Sequence, residues 1–200
     1  MLRHVLPCAL ASILFLTVAQ TAQAGDLEDA VLEEINFART QPAAYARDML
    51  RHPAAYGGGY DDVMANQDPD AFEEAVDFLR RQRPLPPLRP DTRLTAAARD
   101  HAEAQGPSGA VGHGGRGGGP AGRMQRRGVW AGLSAENISY GYRDPRQVVQ
   151  QLIIDSGVPN RGHRQNIFSG GYQAAGVACG RHRGYGSMCV IDFAGAIVQR

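Results

Sequence analysis

Ala135-Glu136-Asn137-Ile138 sets a carboxylate inside Ser134–Tyr140, a run short and apolar enough for a buried strand. Downstream stands Asn160-Arg161-Gly162-His163-Arg164-Gln165-Asn166-Ile167. Between them Asp144-Pro145 opens a predicted helix to about Asp155, with Val148, Val149, Leu152 and Ile153 facing a core. Two later runs, Gln173–Cys179 and Met188–Val198, read as paired strands. Upstream, Gly106–Gly122 holds nine glycines in 17 positions and is expected to form no regular element.

Before that loop, Asp91 caps a predicted helix that aligns Leu94, Ala97, Ala98 and His101 as far as Gln105. Residues 84–90, rich in proline, form an extended connector. Leu27–Arg39 and Ala43–Leu50 are helical segments split at Pro42, and Asp68-Pro69 begins another through Arg81. His52–Asn66, with three consecutive glycines, reads as a loop. Helices around a few late strands make the fold class α+β.

Arg3 and His4 precede an apolar run from Val5 to Ala19, and Ala22-Gln23-Ala24 is a small-residue cleavage site. Residues 1–24 are therefore expected to be a signal peptide, and residues 25–200 one domain, secreted or periplasmic, without a stable membrane anchor. Cys8 would leave with the signal. Cys179 and Cys189 would remain and pair across a glycine-rich hairpin, as an oxidising compartment favours. The 21 basic residues, all arginine, balance 20 acids, so no net field attracts nucleic acid.

His113 lies among glycines, Glu136 in an apolar strand, Asp155 at a helix end and His163 just beyond. Imidazoles and carboxylates together can bind a divalent cation or exchange protons near neutral pH. Each also has a plainer role: His113 as a solvated loop residue, Glu136 paired with an arginine, Asp155 a helix terminus, His163 bonded to backbone. His101 fits a helix face, His52 a loop and His182 a hairpin tip. Gly112-His113-Gly114-Gly115-Arg116-Gly117 matches a dinucleotide fingerprint in form, but no βαβ unit surrounds it. No serine carries the flanking glycines of a nucleophile elbow, and no His-Glu-x-x-His pattern occurs.

At these residues the chain resembles the CAP superfamily of cysteine-rich secretory, antigen 5 and pathogenesis-related proteins, most closely its secreted bacterial branch. Asn36-Phe37-Ala38-Arg39, Pro87-Leu88 through Ala98, Gly112-His113, Arg123–Gly128, Glu136-Asn137-Ile138, Gly162–Ile167, Gly176-Val177 and Phe193-Ala194 follow the family order. The resemblance implies an α-β-α sandwich whose central cleft is lined by His113, Glu136, Asp155 and His163. It implies a divalent ion, such as zinc, on His113 and His163. Asp155 stands where the family often has glutamate, so a shifted helix or a water-mediated contact is expected. Residues 40–83 read as an insertion that covers or extends the cleft. Three roles follow: a binding module for a lipid-like or cell-envelope ligand, a metal-dependent hydrolase with Glu136 as base (or with Ser139 or Ser156 as nucleophile), and a structural extracellular protein.

Overall fold

Ala174-Ala175-Gly176-Val177-Ala178 puts Ala174, Gly176 and Ala178 on one face of a strand and Val177 on the other, and this sets how the molecule is layered. The structure, a computed structural model, describes residues 24–51, 69–115 and 118–198. Strand β4 (Ala174–Gly180) lies inside a four-stranded sheet, ordered β1 (Arg89–Pro90), β4, β5 (Met188–Ala194), β3 (Ser134–Tyr140). β1 joins β4 in parallel, and the other pairs are antiparallel.

Helix α4 (Thr92–Gln105) covers one face. A Cβ built on Gly176 would stand 2.0 Å from the Thr95 nitrogen, so α4 can approach this closely only over glycine. Ala98 and Ala102 of α4 pack there on Ile138, Ala178 and Val190. On the other face lie α1 (Ala24–Thr40) and α6 (Pro145–Ile154). They bury Val31, Ile35, Val149 and Ile153 against Val177, Ile191 and Phe193. Each such side chain, fully buried, contributes about 1.5–3 kcal/mol. The layers make an α-β-α sandwich.

The helix caps sit where the sequence puts them. Asp91 accepts hydrogen bonds from Arg93 N and Leu94 N, and Asp144 accepts from Gln147 N with Pro145 in the first turn. Asn36 and Arg39 lie one turn apart on α1. Asn36 pairs with both backbone groups of Leu88, and buried Arg39 donates to Pro86 O, Ile167 O and Ser169 O. The pair ties α1 to the connector and to the helix that carries His163.

Three expectations need correction. The glycine-rich stretch gives way to a helix, α5 (Pro120–Arg126), because Pro120 presets its first turn. The last strand stops at Ala194 instead of running to Val198. At Gly195 the chain turns away, and β6 (Ile197–Val198) pairs with β2 (Trp130–Ala131) in a separate ribbon. The end of the connector is β1, an edge strand that tolerates Pro90.

Within residues 40–83, α2 (Pro42–Arg51) and α3 (Pro69–Arg81) pack on each other and enter the main core through Tyr45, Met49, Val76 and Leu79. The loop predicted over His52–Asn66 lies outside the described residues, as does the signal segment up to Gln23. Cys179 and Cys189 are directly opposed in β4 and β5 and form a disulfide, with Cα atoms 4.1 Å apart. Among the described residues, no helix is long and apolar enough to cross a membrane.

Candidate functional site

β3 is an edge strand, and the sandwich brings different elements to its two faces. Glu136, Ile138 and Tyr140 turn toward the α4 side, whereas Asn137 and Ser139 turn toward the α6 side. The loop after α4 therefore meets Glu136. The short helix α7 (Gly162–Ile167) meets Asn137.

His113 is placed by a pinned glycine. Gly112, at φ +91°, donates to the Tyr140 hydroxyl and accepts from Gln105 Nε2. His113 Nδ1 donates to Glu136 Oε1 at 2.9 Å. Arg123 of α5, buried, donates to Glu136 Oε2 and also to His113 O and Gly118 O. Burial of Glu136 opposes its charge. The hydrogen bonds from His113 and Arg123, with the Arg123 charge, outweigh it and hold the carboxyl below its ordinary pKa.

Asp155 follows α6 as its C-cap, in the left-handed conformation at φ 55°. That turn aims a short carboxylate directly at α7, so neither a shifted helix nor a bridging water is needed. Asp155 Oδ2 accepts from His163 N at 2.8 Å, and Oδ1 accepts from His163 Nδ1 at 2.6 Å. Asn137 Nδ2 donates to His163 O and Asn166 Nδ2 to Asn137 Oδ1, locking α7 to β3. Arg164 donates to Ile153 O, Ile154 O and Glu74, and Arg161 also reaches Glu74. Through Glu74, helix α3 braces α7.

All four residues singled out in the sequence thus meet at one edge. The two imidazole rings lie near each other, centroids 6.5 Å apart and planes tilted by 43°. A carboxylate only accepts, so each Nδ1 carries a proton, and it is the neutral form of each ring that has a lone pair on Nε2. Among the described residues, no three His, Cys, Asp or Glu side chains form a ready metal cluster.

Among the described residues, His101, His182, Ser139 and Ser156 lie apart from this pair. His101 is buried under the loop with Nε2 3.0 Å from Gly112 O, and burial lowers its pKa. His182 Nδ1 accepts from Gly184 N and Tyr185 N, so it builds the hairpin turn. Ser139 is buried on the face opposite Glu136, and Ser156 follows the α6 cap. Two cavities of about 500 and 570 Å³ open around Cys179, Gly180 and Arg181, and neither is lined by His113 or His163.

Arg123 and Asp192 belong to the site but were not singled out in the sequence. Asp192 is fully buried directly across from Glu136 on β5. Burial, then the Glu136 charge, raises its pKa well above the ordinary value. As a carboxylate it has no donor to accept from; carrying a proton, it donates to Glu136. A lone acid in the apolar run Met188–Ala194 was the available signal.

The model of the cysteine-rich secretory protein family, CAP, matches residues 73–193. The chain belongs to the CAP family. No curated protein matches the chain. Among solved structures, an extracellular SCP-domain protein of Bacillus anthracis is 21% identical, with a TM-score of 0.49 over 66% of this chain and 41% of that one. An outer surface protein of Borrelia burgdorferi is 18% identical, with a TM-score of 0.47 over 56% of this chain and 79% of that one. A cysteine-rich secretory protein of Staphylococcus aureus is 15% identical, with a TM-score of 0.44 over 66% and 39%. The CAP chain described here spans less than half the length of the Bacillus protein.

Proposed function

We propose that this CAP domain is an exported binding module whose cleft holds one divalent cation, zinc by preference, on His113 and His163. The observation that carries the reading is the matched pair of supports: each Nδ1 is committed to a buried carboxylate, which leaves both Nε2 atoms free at one edge. A carboxylate behind a ligating imidazole fixes its tautomer and raises its basicity. Two imidazoles that share a tetrahedral ion, with bonds of about 2.0–2.1 Å, have ring centres about 5–5.5 Å apart. At 6.5 Å the pair needs an approach of about 1 Å. His113, with a side chain 48% exposed on a glycine loop, is the ring able to make it. The ion would supply a Lewis-acid anchor for an oxygen-bearing group of a cell-envelope or lipid-like ligand.

Binding is favoured over hydrolysis by the state of Glu136. Its side chain has no exposure, and both of its oxygens already accept, from His113 and Arg123, so as a base it is shielded from solvent water. Calorimetric titration of Zn²⁺ into the protein and into the His113→Ala/His163→Ala double variant tests the reading. One tight site, lost in the variant, is expected. Equal heats for both proteins would overturn it.

A further inference from the structure

The tip of the β4–β5 hairpin buries one ring. Arg181, Arg183, Gly184, Tyr185 and Gly186 are exposed, whereas His182 among them is 2% exposed. A hairpin turn by itself would leave that ring in solvent. The cover comes from the glycine-rich loop after α4, which rests on three consecutive residues of the tip. A Cβ built on Gly106 would stand 2.2 Å from Arg181 O, so the loop starts in backbone contact with the hairpin. Arg183 N donates to Gly106 O at 2.8 Å. Between these two, His182 Nε2 donates to Ala110 O at 2.8 Å.

The His182 ring works in both directions. Its Nδ1 accepts from Gly184 N at 3.2 Å and from Tyr185 N at 3.1 Å, so Nδ1 carries no proton and the ring proton sits on Nε2. One imidazole thus accepts on the turn side and donates on the loop side. An amide side chain has its donor and acceptor at one end and cannot span the two. The ring also lies edge-on to Tyr140, with centroids 5.1 Å apart and planes at 72°. The Tyr140 hydroxyl accepts from Gly112 N, and Gly112 is the residue before His113. His182 therefore reaches the loop twice, directly at Ala110 and through Tyr140.

We propose that His182 is a positioning residue for His113: it seats the Ala110–Gly112 segment and so sets where the His113 ring stands over the cleft. This rests on the reading of His113 as a cation ligand, and it names the part of the fold that holds that ligand in place. Glu136 fixes the direction of the His113 ring. The hairpin tip fixes the backbone from which the ring hangs. His101 and Gln105 hold the same segment from α4, both at Gly112 O. His182 adds the hold at Ala110, from a hairpin closed by the Cys179–Cys189 disulfide.

His182→Asn separates the two directions, because Asn Oδ1 stands where Nδ1 stands while no atom of asparagine reaches Ala110 O. In ¹⁵N–¹H spectra the amides of Gly184 and Tyr185 should keep the exchange rates of the parent. The Gly112 amide should exchange about fivefold faster, and Zn²⁺ affinity by calorimetry should fall about fivefold, the weight of one hydrogen bond. A residue that only builds the turn predicts no change in either, and that result would overturn the proposal. Equal zinc affinity despite a faster Gly112 would overturn it too, since the loop would then move without moving His113. The parent gives a check independent of how the variant folds: ring ¹⁵N resonances should show Nε2 protonated and Nδ1 bare, and the opposite tautomer ends the proposal. Gly112 reports without metal, which keeps the two readings apart. No zinc binding by the parent, with Gly112 faster in the variant, removes the ion alone. Zinc bound equally by both proteins, with Gly112 unchanged, removes the positioning role alone.

Discussion

His113 and His163 present the same atom to the cleft, yet they are held in different ways. His163 opens a helix, and one carboxylate, Asp155, takes both its ring and its backbone N–H. Its side chain is 21% exposed, against 48% for His113. His113 hangs from a glycine loop by a single ring contact to Glu136, and the buried charge lies one layer deeper, in the Glu136–Arg123 pair. One half is locked by local geometry around a helix start. The other is adjustable at its tip and rigid at its base.

The sharpest way to break this comparison is at the base of the His113 half. Arg123→Met leaves the Glu136 carboxylate buried beside Asp192 without its counter-charge, and should cost about 3–5 kcal/mol in urea denaturation. A cost below about 1 kcal/mol would mean that the pair is not the buried anchor described here.

On the other half, Asp155→Ala removes the acceptor of the His163 backbone N–H and puts alanine in a left-handed conformation. A loss of about 2–3 kcal/mol is expected. Asp155→Asn tolerates that conformation and should cost about 1 kcal/mol by the same measurement. If the two variants were equally damaging, the charge and not the turn would be holding α7.

The rings themselves sharpen the contrast. His113→Ala should stay within about 1 kcal/mol of the parent in thermal unfolding, because Glu136 retains Arg123. His163→Ala should cost more, since the buried Asp155 carboxylate loses its only ring partner. The reverse order would contradict the division into an adjustable and a locked half.

The smallest effect at neutral pH concerns Asp192. Its folded pKa is raised, so its contribution to stability is complete below the ordinary carboxyl value of 3.8 and declines as pH rises through the folded value. Asp192→Asn mimics the protonated form, so the variant should lack this decline and be no less stable than the parent at pH 7. Parallel urea titrations from pH 4 to pH 8 read the difference. An Asn variant that is markedly less stable at pH 7 would show that Asp192 acts as a charged group.

Much of the scaffold was legible because its signals are local. Asp91 and Asp144 cap helices by bonding backbone two or three residues on, and Pro145 presets a first turn; such rules need no partner from elsewhere. A short, apolar run over Ser134–Tyr140 marked a strand. The same locality explains the errors: Pro120 lay in a stretch dominated by glycine, and the departure of β6 at Gly195 depends on packing against Gly171 and Leu133.

Local pattern by itself determined where the main helices and the three long strands lie, that Cys179 and Cys189 would face each other, and that the chain would be α+β. The order of its motifs picked out the four cleft residues through resemblance. Tertiary structure alone decided that Arg123 and Asp192 complete the Glu136 cluster, and that Asp155 reaches His163 directly. It also decided that His182 of the hairpin tip reaches Ala110 in the glycine-rich loop. The physical reason is register: a residue's face on a strand follows from its own alternation, but its neighbours follow from how distant strands align, and no local periodicity encodes that alignment.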